Sequence, residues 1–160
     1  MTEGEKLEFT DKDRIAVIAP HPDDECLGAS AALLLAPSQT DIFVLTDGSR
    51  GFKERSFEEE AAVRRAQFEA EMQYVRPHSY MWLGCEDTKM SQHPEIVRQI
   101  DFTPYTIIFL QWSESFHPDL NAFRGAQLLT HPEKIYAEAY LRVDEDSYPE
   151  QSLAACLKRV

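Results

Sequence analysis

Short apolar runs alternate with longer, more polar stretches along the 160 residues of this chain. The apolar runs have the length and composition of buried β-strands, and they fall at 14–19, 41–46, 79–83 and 105–110. The stretches between them have the composition or the spacing of helices at 25–35, 57–74 and 94–100. Strands that alternate with helices predict an α/β fold, with a Rossmann-like mostly parallel sheet and helices on both faces.

The final third of the chain continues this alternation. We expect a helix at 119–129, a fifth strand at 135–143 and a last helix at 152–158. Neither an internal repeat nor a low-complexity linker interrupts the sequence, and its length suits one hydrophobic core. Residues 1–160 are therefore expected to form a single domain.

A histidine and two carboxylates follow the first predicted strand. His21, Asp23 and Asp24 come soon after the apolar residues 15–18, and open α/β sheets bind ligands at the carboxyl ends of their strands. Because His21 and Asp24 are three residues apart, one tight turn can direct an imidazole and a carboxylate to a single divalent ion such as Zn²⁺. Asp23 is then left beside the metal, where it can accept a proton from metal-bound water.

The same segment has a simpler interpretation, because proline suits turns and aspartate caps helices. A second His-Pro-Asp element favours the functional interpretation, since His117 and Asp119 follow another apolar run at 107–110. Asp47 and Asp87 follow the second and third predicted strands. The topology of a doubly wound sheet would bring all of these side chains to one edge.

Charge and composition narrow the class of protein. The formal net charge of −12 disfavours nucleic acid and anionic membrane surfaces as partners. No apolar stretch approaches the roughly 20 residues that span a bilayer, and the polar N-terminus resembles neither a secretory signal nor a transit peptide. A cytoplasmic location is therefore expected.

Two further groups of side chains are expected to be structural. The three cysteines lack CxxC spacing, which predicts buried free thiols at Cys26, Cys85 and Cys156. Charges of both signs are mixed along residues 53–65, and this mixture predicts a solvated helix face with i,i+4 pairs.

Five elements of the sequence, in order, resemble the LmbE-like, PIG-L type deacetylases. They are Pro-His-Pro-Asp-Asp-Glu at 20–25, Thr-Asp-Gly-Ser-Arg-Gly at 46–51, Arg-Arg at 64–65, Leu-Gly-Cys-Glu-Asp at 83–87 and His-Pro-Asp-Leu at 117–120. This family consists of zinc-dependent enzymes that remove the N-acetyl group from N-acetylglucosamine conjugates and similar amino sugars. The resemblance implies that His117 stabilises the oxyanion and assists the leaving amine, and that Arg64 and Asp87 face the substrate.

The resemblance also implies a zinc site in which His21 and Asp24 are ligands and Asp23 is the general base. The family's third zinc ligand is the last histidine of His-Pro-Asp-His, and this chain has Leu120 at that position. Since catalytic zinc usually has three protein ligands and a water molecule, the expected Zn²⁺ would be bound weakly unless another group completes the site.

Several groups are candidates for that missing ligand. His117 can turn inward, an oxygen of Asp119 or Asn121 can reach the ion, or a partner subunit of a homo-oligomer can supply a side chain. The remaining alternative is that zinc is not held at all.

Two functions are consistent with these features. The leading hypothesis is a zinc-dependent hydrolase that removes an N-acetyl group from a small amino-sugar conjugate of the N-acetylglucosamine type. The alternative is a degenerate, non-catalytic family member that binds a sugar or metabolite in the same cleft, which Ser49 and Gln67 favour because the family usually carries glutamate at both positions. Many family members also continue further, so the chain is either a compact variant or shortened at its C-terminus. A nucleotide-binding domain is disfavoured because no GxGxxG follows the first strand.

Overall fold

The computed structural model of the chain describes residues 8–51, 53–111, 135–139 and 158–159. These residues form six strands: β1 (Ile15–Ala19), β2 (Thr40–Thr46), β3 (Ser79–Cys85), β4 (Ile107–Gln111), β5 (Ile135–Ala139) and β6 (Lys158–Arg159). They also form three α-helices: α1 (Asp24–Leu35), α2 (Phe57–Val75) and α3 (Pro94–Val97). Short 3₁₀ turns lie at Pro37–Gln39 and Met90–Gln92.

The strands make one sheet in the order β3-β2-β1-β4-β5-β6. All neighbouring pairs are parallel except β5 and β6, which are antiparallel. The chain steps outward from β1 to β3 and then returns to place β4 on the other side of β1. This reversal puts the crevice of an open α/β sheet at the carboxyl ends of β1 and β4. The predicted Rossmann-like, mostly parallel sheet is confirmed.

Both faces of β1 are covered, which explains why its sequence is apolar throughout. On one face, Val17 belongs to a buried cluster with Ala32 of α1 and Phe68 of α2. On the other face, Ile18 belongs to a second cluster with Val97 of α3. The strand is thus held between two cores, and the loop that follows it starts from a rigid support.

Helix α2 begins at a capping box that the sequence encodes as Ser-x-x-Glu. The Ser56 hydroxyl accepts a hydrogen bond from the Glu59 backbone N–H at 3.2 Å, and the Glu59 carboxylate accepts one from the Ser56 backbone N–H at 3.0 Å. The helix ends at Val75, and the following residue, Arg76, caps it in a left-handed conformation with φ 54°. None of the helices in the described part of the chain is both long enough and apolar enough to cross a membrane.

The first four predicted strands and the helices at 25–35 and 57–74 agree with the structure to within two residues. The fifth strand begins at residue 135 as predicted and is described as far as 139, so residues 140–143 of that prediction lie outside the described residues. Two other elements differ. Helix α3 ends at Val97 rather than at residue 100, because the Ile100 N–H already bonds the Val97 carbonyl in a tighter turn. Lys158 was predicted to end a helix; this is wrong, because its backbone pairs antiparallel with Glu138 in the sheet. The predicted helix at 119–129 lies outside the described residues.

Candidate active site

His21 lies between two carboxylates at the carboxyl end of β1. Its Nδ1 is 3.1 Å from Asp24 Oδ2, and its Nε2 is 3.4 Å from Asp87 Oδ1. The same Asp24 oxygen accepts a hydrogen bond from the His21 backbone N–H at 2.9 Å. Burial of the ring opposes its charge, but hydrogen bonds and the charges of Asp24 and Asp87 outweigh this and raise the pKa of His21 to about 10.

The donor pair of His21 and Asp24 suits a divalent ion such as Zn²⁺. In a tetrahedral zinc site the donor atoms lie about 3.3 Å apart, because each is about 2 Å from the ion. The 3.1 Å between Nδ1 and Oδ2 agrees with that spacing. A metal ion bound by Nδ1 and Oδ2 would take the place of the proton on Nδ1.

A third ligand for this pair is not supplied by the residues that the structure describes. Among the described histidines, cysteines, aspartates and glutamates, only one group of three has its ligand atoms all within 4.8 Å of one another. That group is Glu25, Cys26 and Glu71, and it includes neither His21 nor Asp24. The position at which the family has its third ligand, Leu120, lies outside the described residues. So do the candidates His117, Asp119 and Asn121.

Asp23 occupies an unusual backbone conformation beside this pair. Its φ is 127° and its ψ is −21°, a region that residues other than glycine rarely adopt. The Asp23 N–H donates to Glu25 Oε2 at 3.1 Å, and its side-chain Oδ2 accepts from Arg64 Nη1 at 3.0 Å. Burial and the charge of Asp24 raise the pKa of Asp23 above its ordinary value, while Arg64 opposes this shift. The result is a half-exposed carboxylate of increased basicity.

Arg64 reaches Asp23 from the first half of α2. Its Nε donates to Glu60 Oε1 at 3.0 Å, and the other Glu60 oxygen accepts from Arg55 Nη1 at 2.8 Å. Both hydrogen bonds lower the pKa of Glu60, and the bond from Arg55 has the larger effect. The prediction of a solvated helix face is therefore wrong here, because Glu60 is only 1% exposed and the Arg64 side chain is 19% exposed.

Asp87 joins the loops after β2 and β3 to this site. Its Oδ2 accepts from the Arg50 N–H at 3.0 Å, and its own N–H donates to Asp47 Oδ1 at 3.0 Å. The loop after β2 turns at Gly48, whose φ is +63° and where an added Cβ would lie 2.9 Å from Pro22 Cδ. The sequence prediction that strand-end residues converge on one edge is thus correct for His21, Asp47 and Asp87.

Glu25, Cys26 and Glu71 form a cluster next to Asp23. Sequence reasoning missed this cluster because Glu71 is 45 positions from Cys26 along the chain. Cys26 is free but exposed, so its predicted burial is wrong, whereas Cys85 is buried as predicted. Cys156 lies outside the described residues. The Cys26 thiol donates to Glu71 Oε1, and partial removal of the thiol from water together with that bond raises the pKa of Cys26 to about 12. Burial, followed by the charge of Glu71, raises the pKa of Glu25 to about 8. Protons held by the Cys26 thiol and the Glu25 carboxyl therefore explain why these three side chains lie close together, without a metal ion.

Comparison with solved structures supports the fold at low sequence identity. N,N'-diacetylchitobiose deacetylase from Pyrococcus horikoshii superimposes with a TM-score of 0.60 at 20% identity, over 81% of this chain and 61% of that one. A conserved protein from Thermus thermophilus gives 0.60 at 20% identity, over 82% and 69%. A deacetylase of teicoplanin biosynthesis gives 0.61 at 16% identity, over 78% and 68%. This chain thus spans less than two thirds of the Pyrococcus enzyme. No curated protein matches the chain.

Sequence comparison with protein families identifies the chain more directly. The family model described as PIG-L, GlcNAc-PI de-N-acetylase, matches residues 16–124. That match is more than half of the chain, and it includes the loops that carry His21, Asp24 and Asp87. The chain therefore belongs to the PIG-L family of de-N-acetylases.

Proposed function

We propose that this chain is a zinc-dependent hydrolase that removes an N-acetyl group from an amino-sugar conjugate of the N-acetylglucosamine type. Membership of the PIG-L family supports this proposal, as do deacetylases among the solved proteins of the same fold. The observation that carries it is the arrangement of His21, Asp23 and Asp24 at the carboxyl end of β1. A nitrogen–oxygen donor pair lies there next to a separate, more basic carboxylate.

In this proposal His21 and Asp24 hold Zn²⁺, which supplies polarisation of the amide carbonyl and of a water molecule when it is bound. Asp87 orients the His21 ring from its Nε2 side at 3.4 Å. Both carboxylates favour one ring orientation, so the Nδ1 atom stays directed at Asp24.

Asp23 is the proposed general base, because its carboxylate is half-exposed and its raised pKa makes it a stronger proton acceptor. It takes the proton of the attacking water at a side-chain oxygen. His117 is proposed to stabilise the oxyanion and to protonate the leaving amine, on the basis of the family resemblance alone. Arg64 and Asp87 are proposed to contact the sugar. Residues 1–160 are proposed to form one domain.

The proposal is tested by incubating the purified chain with N-acetylglucosamine and with N,N'-diacetylchitobiose. We expect acetate and primary amine to appear in equal amounts, to stop when a chelator is added and to return with zinc. One solved relative is described as the zinc-inhibited form of teicoplanin deacetylase, so zinc should be varied from less than one equivalent to excess. Failure to release acetate from either sugar across that range would contradict the proposal.

A non-catalytic sugar-binding protein is the second candidate, and Leu120 favours it because leucine cannot bind a metal. Calorimetric titration with the same two sugars separates the candidates. Saturable binding without release of acetate at any zinc concentration would support the second candidate and exclude the first for these sugars.

A further inference from the structure

Glu60 is a buried acidic residue in a helix whose neighbouring acidic side chains are exposed. Glu58 and Glu59 precede it in the first turn of α2 and lie in solvent, whereas Glu60 is 1% exposed. A carboxylate is rarely removed from water unless cations or hydrogen-bond donors compensate it. Its position in the fold therefore calls for an explanation beyond a charged helix surface.

Two guanidinium groups engage the two oxygens of this carboxylate. Arg64 Nε lies 3.0 Å from Oε1 and Arg55 Nη1 lies 2.8 Å from Oε2, so the rotamer of Glu60 is fixed from both sides. Arg64 then uses Nη1, a different nitrogen of the same planar group, to contact Asp23 Oδ2 at 3.0 Å. Because the guanidinium is rigid, fixing Nε also fixes where Nη1 points.

Packing alone does not restrain the Asp23 side chain, which is 51% exposed. Arg64 is more enclosed, and its Nη2 approaches Gly51 so closely that an added Cβ would lie 2.7 Å away. The guanidinium is thus confined by Glu60 on one side and by the Gly51 backbone on another. It is the better-restrained partner of the pair and sets the direction of the carboxylate.

We propose that Glu60 is a positioning residue, which holds Arg64 so that Arg64 orients the Asp23 carboxylate for proton transfer. This inference rests on the proposed function of Asp23. It predicts that loss of the Glu60 charge slows turnover, although Glu60 itself touches neither substrate nor reacting water. A role for Arg64 in sugar binding alone would instead predict weaker substrate binding.

The test compares Glu60→Gln with Glu69→Gln. Both positions are in α2, and Glu69 pairs with Arg65 in a similar i,i+4 contact of 2.9 Å, but that pair is exposed. We expect Glu60→Gln to lower kcat about tenfold with KM within about twofold, since a misdirected base affects the chemical step. Glu69→Gln should leave both constants unchanged. A rise in KM alone, or no change in either constant, would overturn the inference.

Two further measurements keep the test decisive. Arg64→Lys removes the planar fork, so Glu60→Gln should have little additional effect on kcat in that background; fully additive losses would count against coupling through Arg64. NMR measures the hydrogen exchange of the Arg64 Nε–H without any assay of activity. We expect exchange about tenfold faster in Glu60→Gln, because the charged Arg64 donor then bonds an uncharged amide oxygen instead of a carboxylate, and unchanged exchange would reject the contact. If the wild type releases no acetate, the proposed function fails, and this NMR result still decides whether Glu60 holds the Arg64 guanidinium in place.

Discussion

At the scale of single residues, Asp23 combines a strained backbone with a proposed catalytic side chain. A φ of 127° at a residue other than glycine costs about 1–3 kcal/mol. The bond from its N–H to Glu25 and the contact of its carboxylate with Arg64 hold this conformation in place. The strain directs the carboxylate to its place beside the His21–Asp24 pair, so stability and function should conflict at this position.

This conflict predicts that glycine at position 23 gives a more stable protein than alanine does. Both Asp23→Gly and Asp23→Ala remove the carboxylate, but only glycine adopts a positive φ without strain, so Asp23→Gly should be about 1 kcal/mol more stable. At Glu69, inside α2, the order should be reversed, because alanine favours helices over glycine by about 1 kcal/mol. Urea unfolding of the four variants measures these differences, and an Asp23→Ala variant as stable as Asp23→Gly would contradict the strain.

Leu120 is the residue whose identity most affects the proposed zinc site. Leu120→His restores the His-Pro-Asp-His element of the family, and the new imidazole would join His21 and Asp24 as a third ligand. Zinc affinity should then rise at least about tenfold, equivalent to about 1.4 kcal/mol. Competition with a zinc chelator measures the change. Unchanged affinity in a folded variant would mean that another group already completes the site, or that residue 120 is not directed at the ion.

At the scale of elements, one carboxylate ties together the amino ends of four strands, opposite the candidate site. Asp41 of β2 accepts hydrogen bonds from Arg14 before β1, from Ser79 of β3 and from Tyr105 before β4, at 2.6–2.8 Å. His78 Nδ1 lies 2.7 Å from the same carboxylate. Burial opposes ionisation, but these partners outweigh it and lower the pKa of Asp41 to about 2.

Because the folded-state pKa of Asp41 lies below its ordinary value of 3.8, its ionisation stabilises the fold above that pH. The contribution is about 2 kcal/mol, and it is lost as the pH falls from about 4 towards 2. Asp41→Asn should therefore be less stable near neutral pH and lose less stability over that acidic range. Urea unfolding at several pH values tests this, with the exposed Asp11→Asn as the matched control. Equal neutral stability of Asp41→Asn and wild type would contradict the role of this carboxylate.

At the scale of the whole molecule, the sheet was predictable because each buried strand is a continuous apolar run. Val17 and Ile18 pack in different cores, so a strand covered on both faces leaves a clear signal in the sequence. Lys158 was misassigned because a two-residue edge strand carries no periodicity. The fold of the described residues was thus predictable where a strand is long enough to leave a pattern, and least predictable at the two-residue strand β6.

The candidate site was only partly predictable, for a different physical reason. His21 and Asp24 are three residues apart, so local spacing reveals their contact. Asp23 and Arg64 are 41 positions apart, and only the packing of α2 against the loop after β1 brings them together. Glu60 escaped prediction because glutamate within a run of charges usually lies in solvent, and its burial depends on the two arginines that pair with it.

The most direct test of the proposed function is to replace Asp23 with asparagine and to measure acetate release and zinc content in the same preparation. Asparagine keeps the shape of the side chain but cannot accept the proton of water, so activity should fall at least about a hundredfold. The zinc-to-protein ratio should remain that of the wild type, because His21 and Asp24 are unchanged. Retained activity, or loss of zinc together with activity, would contradict a general base that lies outside the metal ligands.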